Sequence, residues 1–226
     1  MFSNLHYAYI IGDILLLCIW FVFFIARKDL RKEMLIISIL SVPFGFTQYF
    51  FGADYWHPYY IIGNYAFGLE DLLYMFATGG ITGVIYEEFF GKKLSKRHTR
   101  SHPYLMLLFV ILGLGALFVG TKILLINSIY VSSGIFLFAG ILTIIVRHDL
   151  LKHAFFSGLS LGFLTLVFDI FYLFLFPNIF QSWWSLSRIS GFLVLGVPVE
   201  ELIFAFMFGF VAGPMYEFVF GLKLNK

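Results

Sequence analysis

The amino-acid sequence predicts an all-α integral membrane protein. Seven transmembrane helices are expected as two parallel three-helix repeats joined by a linker helix (3+1+3), with the N-terminus outside and the C-terminus cytoplasmic. Three observations lead there. The 226 residues are 61% hydrophobic and 12% charged, far outside the range of soluble globular domains. The apolar residues collect into runs long enough to cross a bilayer as helices. One such run, Val197–Phe220 (VPVEELIFAFMFGFVAGPMYEFVF), has an earlier counterpart in Gly68–Leu94 (GLEDLLYMFATGGITGVIYEEFFGKKL), so the chain is built from a repeat.

Charges or turn residues bound seven runs: Tyr7–Ala26, Met34–Phe51, Phe67–Phe90, Tyr104–Thr121, Ile129–Val146, Ala154–Phe176 and Val197–Phe220. Transmembrane barrels would show short stretches alternating apolar with polar, whereas these runs are apolar throughout. Met1–Tyr9 carries no Lys or Arg and no small-residue cleavage site follows, so the first run is expected to stay as a span. The single cysteine, Cys18, cannot form an internal disulfide and is expected to be a packing residue. Orientation follows from the basic residues. Arg27, Lys28, Arg31 and Lys32, then Lys92, Lys93, Lys96, Arg97 and Arg100, then Arg147 and Lys152, then Lys223 and Lys226 fall on one side, 13 of the 15. Only Lys122 and Arg188 fall on the other. A multi-pass cell-membrane protein is expected, with the lipid bilayer as partner and no nucleic acid.

Adding 130 to each number superposes Glu70 on Glu200, Asp71 on Glu201, Gly79 on Gly209, Gly83 on Gly213, Tyr86 on Tyr216 and Glu87 on Glu217. A shift of 120 superposes Ile25–Glu33 (IARKDLRKE) on Ile145–His153 (IVRHDLLKH). Residues 1–102 and 129–226 are then the two repeats, and 103–128 the linker span that lets both insert with one orientation about a pseudo-two-fold axis. Spans three and seven each carry a G-x-x-x-G, Gly79 with Gly83 and Gly209 with Gly213, expected to pack on that axis because small residues let helices approach in lipid. The outer loops Gly52–Phe67 and Pro177–Gly196 hold Tyr55, Trp56, Tyr59, Tyr60, Tyr65, Trp183 and Trp184. They read first as an interfacial aromatic belt, a reading compatible with substrate binding.

Seven polar side chains interrupt the apolar runs, all in the outer third of the bilayer: Asp13, Gln48, Glu70, Asp71, Asp169, Glu200 and Glu201. Acids inside a span are a functional hypothesis by default. Neighbours on a helix point about 100° apart, so only one of each adjacent pair can face the interior. The other is left as an N-terminal acid favoured by the helix dipole. Lys122 and Arg188 are too few to pair them all, so some are expected to hold their protons at neutral pH and serve as donors. At the inner side Glu87, Glu88 and Glu217 sit near Lys92, Lys93 and Lys223 and read as surface charge at helix ends. His98, His102, His148 and His153 fall in basic loops, and no pair has metal-ligand spacing inside a span, so no metal site is expected.

These residues resemble the membrane-integral lycopene cyclase family, made of two homologous three-span halves as two small subunits in some bacteria and one fused chain in archaea. The resemblance covers nearly the whole chain. It rests on P-x-E-[ED] opening the last helix (Pro198-Val199-Glu200-Glu201), Tyr216-Glu217 at its far end, the acid of YIIGDILLL (Asp13) and Asp169. The first copy departs from the pattern: Gly68-Leu69-Glu70-Asp71 lacks the proline, and Gln48 stands where an acid matching Asp169 is expected. The resemblance implies an intramolecular, redox-neutral isomerisation. An acid protonates the terminal double bond of a linear carotenoid, the cation is attacked by the neighbouring double bond, and proton loss leaves a β or ε ring. By the same resemblance Glu200 and Glu201 are acid and base, Glu70 and Asp71 their counterparts, and Asp13, Asp169 and Gln48 supporting groups. Aromatic faces suit the cation. No dinucleotide fingerprint is present, so neither flavin nor another cofactor is expected. The partner implied is a hydrophobic carotenoid or other isoprenoid, and a homo-oligomer stays open.

Two other classes compete. A relative that binds a carotenoid without converting it is motivated by the departures in the first copy. A small 3+1+3 transporter shares the architecture, but its polar residues would line a path rather than cluster at one depth. Three further classes lack their signatures. The seventh span has no Lys for a retinal Schiff base, Leu202-Ile203-Phe204-Ala205 replaces the x-x-x-R of a CAAX-type protease, and the aspartate-rich motifs of a prenyltransferase are absent.

Overall fold

The computed structural model describes residues 4–64, 66–91 and 94–224 and is mostly helical. Six stretches are long and apolar enough to cross a membrane: Leu5–Ala26, Arg31–Asp54, Pro103–Ile123, Ser128–Val146, His148–Leu175 and Val199–Phe220. They contain helices α1 (Ala8–Ala26), α2 (Arg31–Ser41), α3 (Gln48–Asp54), α5 (Pro103–Phe118), α6 (Ser128–Val146), α7 (Leu151–Leu175), α9 (Val199–Ala212) and α10 (Met215–Phe220), and the short α8 (Ile179–Trp183) lies between α7 and α9. Pro43 lies in the tight turns Val42–Thr47 that bend the second stretch between α2 and α3. Gly213-Pro214 does the same between α9 and α10.

The remaining expected span is α4 (Leu69–Phe90), 22 residues long and closed by Gly91 in the left-handed conformation that favours glycine. It carries Glu70, Asp71, Glu87 and Glu88 and falls short of the apolarity of the other six. Packing explains how this helix tolerates polar groups: α1 and α2 cover it on one side, and α7 and α9 touch it on the other. The second copy repeats the plan, with α6 and α7 packed on α9, while α5 runs along α6. Large apolar side chains such as Phe21, Leu112, Phe163 and Phe174 stay on the outside, as suits a membrane environment. Cys18 is also exposed and does not pack inside as expected.

Both glycine pairs pack within their own copy, not against each other. A Cβ on Gly79 would collide with Ser41 Oγ of α2, and one on Gly83 would meet Ile37 at 3.0 Å. Equivalent atoms on Gly209 and Gly213 would strike Gly158 Cα at 2.9 Å and Ser157 Oγ, both on α7. The closest approach is thus to the preceding helix, whose own small residues, Ser41 or Ser157-Gly158, complete the contact.

Short ribbons supplement the helices. Gly63–Asn64 (β1) pairs with Phe67–Gly68 (β2) just before α4, and Leu193–Val194 (β4) pairs with Val197–Pro198 (β5) just before α9. Leu94–His98 (β3) and Leu222–Leu224 (β6) join the two copies antiparallel, with Leu94 opposite Leu224, and Trp56 bridges Trp184 in the same sense between the outer loops. Tyr65, Lys92, Lys93 and Lys226 lie outside the described residues.

Two inner-side expectations change. His153 is in the first turn of α7, which begins at Leu151 within a stretch running from His148, and is buried there rather than placed in a loop. Glu87 and Glu217 are fully buried, whereas Glu88 keeps a partly exposed site 4.0 Å from Arg27.

Candidate active site

The acidic residues at the start of α4 and α9 occupy equivalent positions: Gly68 and Pro198 flank the helix starts, and the acids follow in the first turn. The 100° rotation between neighbours separates each pair, as expected. Asp71 and Glu201 line one cavity together with Asp13 of α1, Gln48 of α3 and Asp169 of α7. Glu70 and Glu200 are not brought to it. Glu70 Oε1 accepts the backbone N–H of Ile61 at 2.7 Å and of Ile62 at 3.2 Å. Glu200 Oε1 accepts the N–H of Ser190 at 2.8 Å and the Tyr130 hydroxyl at 3.0 Å. These two acids anchor the loop that precedes each helix, and both remain buried.

The cavity-facing acids differ in what holds them. Asp71 has both oxygens engaged: Oδ1 accepts from the hydroxyls of Tyr9 (2.8 Å) and Tyr60 (3.3 Å), Oδ2 from the N–H of Gly68 (2.8 Å). Glu201 uses only Oε1, which accepts the Tyr55 hydroxyl at 2.7 Å and the indole N–H of Trp184. Asp13 is buried with neither oxygen hydrogen-bonded among the described residues, and Asp169 receives no hydrogen bond among them. Gln48 Nε2 donates to the carbonyl of Trp56 at 3.2 Å and steadies the loop over the cavity. No described cation neutralises the group. Lys122 sits 4.7 Å from the Tyr49 ring centre, and Arg188 donates to Ala53 O.

The outer loops are a roof, not only a belt. Tyr55 and Trp183 are buried, Trp56 lies edge-on to Trp183 and tilted against Trp184, and all four line the cavity. Backbone bonds sew the loops together, His57 N–H to Trp183 O and Ser185 N–H to Tyr55 O, each 2.8 Å. Burial first, and then the neighbouring Glu201 carboxylate, pushes the Tyr55 hydroxyl well above its usual range, so it stays a donor. Burial and Asp71 do the same for Tyr60. Tyr59 stays exposed, where a belt residue belongs.

The cavity measures about 170 Å³, and aromatic residues are the largest group in its walls. A second cavity of about 180 Å³ continues it, since Phe44, Tyr74, Met75, Thr78 and Phe204 border both. An apolar cavity of roughly 150 Å³ accepts a benzene ring, so the first can take a ring-sized group and the second an apolar tail. Reading the sequence passed over Tyr9, Tyr74 and Tyr172. A signal existed for two of them. Tyr9 precedes Asp13 by one helical turn, and Tyr172 follows Asp169 by three residues, so each shares a face with a cavity acid.

No curated protein and no solved structure matches the chain. Residues 127–219, which contain α6, α7, α9 and the Glu200-Glu201 pair, match the family model described as lycopene cyclase. This match, over 93 of the 226 residues, supports a lycopene cyclase family assignment.

Proposed function

We propose that the outer cavity protonates and closes the linear end group of a carotenoid, without flavin or any net redox change. The observation that carries the reading is Glu201, a cavity-lining residue that holds one oxygen against Tyr55 and Trp184 and keeps the other free of hydrogen bonds among the described residues. A carboxyl so placed can present its proton to a double bond, and the two donors on Oε1 stabilise the carboxylate that remains.

In the first step the O–H of Glu201 breaks as a C–H bond forms at the terminal double bond, leaving a tertiary cation. The neighbouring double bond supplies an electron pair, the ring C–C bond closes, and the charge moves onto the ring. Asp169, unbonded in the same cavity, takes a proton from the adjacent ring carbon, and the freed pair becomes the ring double bond. The proton then returns to Glu201. Asp71, fixed as an acceptor through both oxygens, supplies negative charge to the passing cation, and Asp13 shares its wall. The Trp and Phe faces offer cation–π attraction and keep water from capturing the cation.

The frame for this chemistry is a seven-span, multi-pass protein in which α4 crosses the membrane with the six more apolar stretches. Its two copies run parallel about a pseudo-two-fold axis, N-terminus outside. Antiparallel pairing of Leu94 with Leu224, which coincide under the 130-residue shift, and the antiparallel bridge of Trp56 with Trp184 between the corresponding loops support that axis. The test is expression in lycopene-accumulating bacteria, with pigments separated by chromatography. Ring-bearing carotenoid is expected from the wild type and unchanged lycopene from Glu201→Gln. Folded wild-type protein that co-purifies with unconverted lycopene would favour a binding relative and end the cyclisation reading.

A further inference from the structure

The far end of the bundle holds a second polar cluster that the proposed reaction does not use. Glu33 of α2, Glu87 of α4, His153 of α7 and Glu217 of α10 are all buried. Glu87 lies 16 residues beyond Asp71 on α4, about 24 Å along the helix axis at ~1.5 Å per residue. Among the described residues, neither oxygen of Glu33 and neither ring nitrogen of His153 has a hydrogen-bond partner, and the carboxyls of Glu87 and Glu217 face each other and receive no hydrogen bond from any other residue. The imidazole lies between two carboxylates, with Nε2 3.4 Å from Glu87 Oε1 and Nδ1 3.6 Å from Glu217 Oε2. One ligand atom from each of Glu87, His153 and Glu217 lies within 4.8 Å of the others. Glu33 is close enough to interact electrostatically with both Glu217 and Glu87.

We infer that this cluster binds a divalent transition-metal ion. Three buried carboxyls and an imidazole with no hydrogen bond from a described residue outside the cluster leave a dry interior with polar groups unsatisfied, and a cation at their centre would satisfy them together. The 3.4 Å between His153 Nε2 and Glu87 Oε1 is one edge expected around an ion with bonds of ~2.1 Å, and the Glu217 ligand atom lies within 4.8 Å of both residues' ligand atoms. The nitrogen ligand beside carboxylates selects Zn, Mn or Fe(II) over Ca or Mg, which prefer oxygen alone. Because both ring nitrogens face carboxylates, one can ligate while the other donates its N–H to the glutamate on its own side, which fixes the ring.

The repeat adds an independent reason. Glu33 and His153 coincide under the 120-residue shift, and Glu87 and Glu217 under the 130-residue shift. The ion would therefore draw Glu87 from one copy and His153 and Glu217 from the other and clamp the copies together, with Glu33 as a neighbouring carboxyl. The nearby arginines are committed in the same paired way: Arg27 donates to Glu87 O and Asp29, Arg147 to Glu217 O and Asp149.

The experiment is metal analysis of full-length, tag-free protein in detergent, exposed to Zn, Mn or Fe(II) and dialysed, with melting temperatures recorded with metal and with chelator. About one ion per chain is expected in the wild type, at least tenfold less in Glu87→Gln/Glu217→Gln, and a melting temperature that metal raises reversibly. Wild-type protein that holds no more metal than the double variant overturns the inference, as does one whose melting temperature is indifferent to metal and chelator. The second result needs no variant to fold. Either failure concerns this end of the bundle only and leaves the cyclase reading where it stands.

Discussion

Glu70-Asp71 and Glu200-Glu201 hold the same two positions on equivalent helices, yet only the second pair leaves a cavity-facing carboxylate oxygen unengaged among the described residues. One backbone hydrogen accounts for much of this. Gly68 N–H reaches Asp71 Oδ2 at 2.8 Å, closing a capping bond from the third helical residue back to the residue before the helix. Pro198 occupies that place in the second copy and has no N–H to offer, so Glu201 cannot be drawn back and extends instead to Tyr55 and Trp184. The residue the first copy lacks, the proline of P-x-E-E, is on this view what frees the acid. The duplication thus yields one acid suited to give up a proton and one suited to remain a charged acceptor.

Substituting the two cavity acids separately is the strongest way to break this contrast. Glu201→Gln should lower ring formation by about 10²–10⁴, the usual worth of a positioned general acid, while Asp71→Asn should cost about tenfold through lost cation stabilisation. Turnover of extracted protein with lycopene in detergent measures both. Equal losses would mean that the copies are functionally alike.

Removing one donor from each acid comes next. Tyr55→Phe should reduce turnover about tenfold, since a hydrogen bond to a charged group is worth roughly 1.5–3 kcal/mol and Trp184 still holds the same oxygen. Tyr9→Phe should cost only about two- to threefold, because Tyr60 and Gly68 continue to engage Asp71. The reverse order would put the proton donor in the first copy.

Much of this was legible in the sequence, and the illegible part has a definite cause. Lipid demands long apolar runs, so the six apolar stretches and the repeat stand out, and acids are rare enough there that Asp13, Asp71, Asp169 and Glu201 announce themselves. Helix geometry says that one of two adjacent acids must turn away, but the rotation of α9 about its own axis is set by packing on α6 and α7. Glycine spacing names a close contact without its partner, and the partner proved to be the preceding helix. Trp56, Trp183 and Trp184 have the composition of an interfacial belt whether they face lipid or fold inward as a roof. The inner cluster was hidden for a similar reason. Glu87 and Glu217 look like ordinary charges at helix ends and His153 like a loop residue until four helices bring them together with Glu33.

Restoring the missing hydrogen gives the smallest expected effect and the sharpest check on the role of Pro198. In Pro198→Ala the new N–H can compete for the Glu201 carboxylate as Gly68 N–H does for Asp71, a bond worth about 1 kcal/mol at a helix start. That is enough to divert most molecules from the Tyr55 and Trp184 pair, so turnover should fall about fivefold. The melting temperature should change little, because the capping bond gained offsets the loss of proline rigidity, about 0.4–1 kcal/mol. Adding Glu201→Gln to Pro198→Ala should then cost less than Glu201→Gln does in the wild type, since part of the acid's contribution is already gone. If Pro198→Ala works at the wild-type rate, Tyr55 and Trp184 hold Glu201 unaided, and the difference between the copies lies in side-chain length, Glu against Asp, and not in the backbone before them.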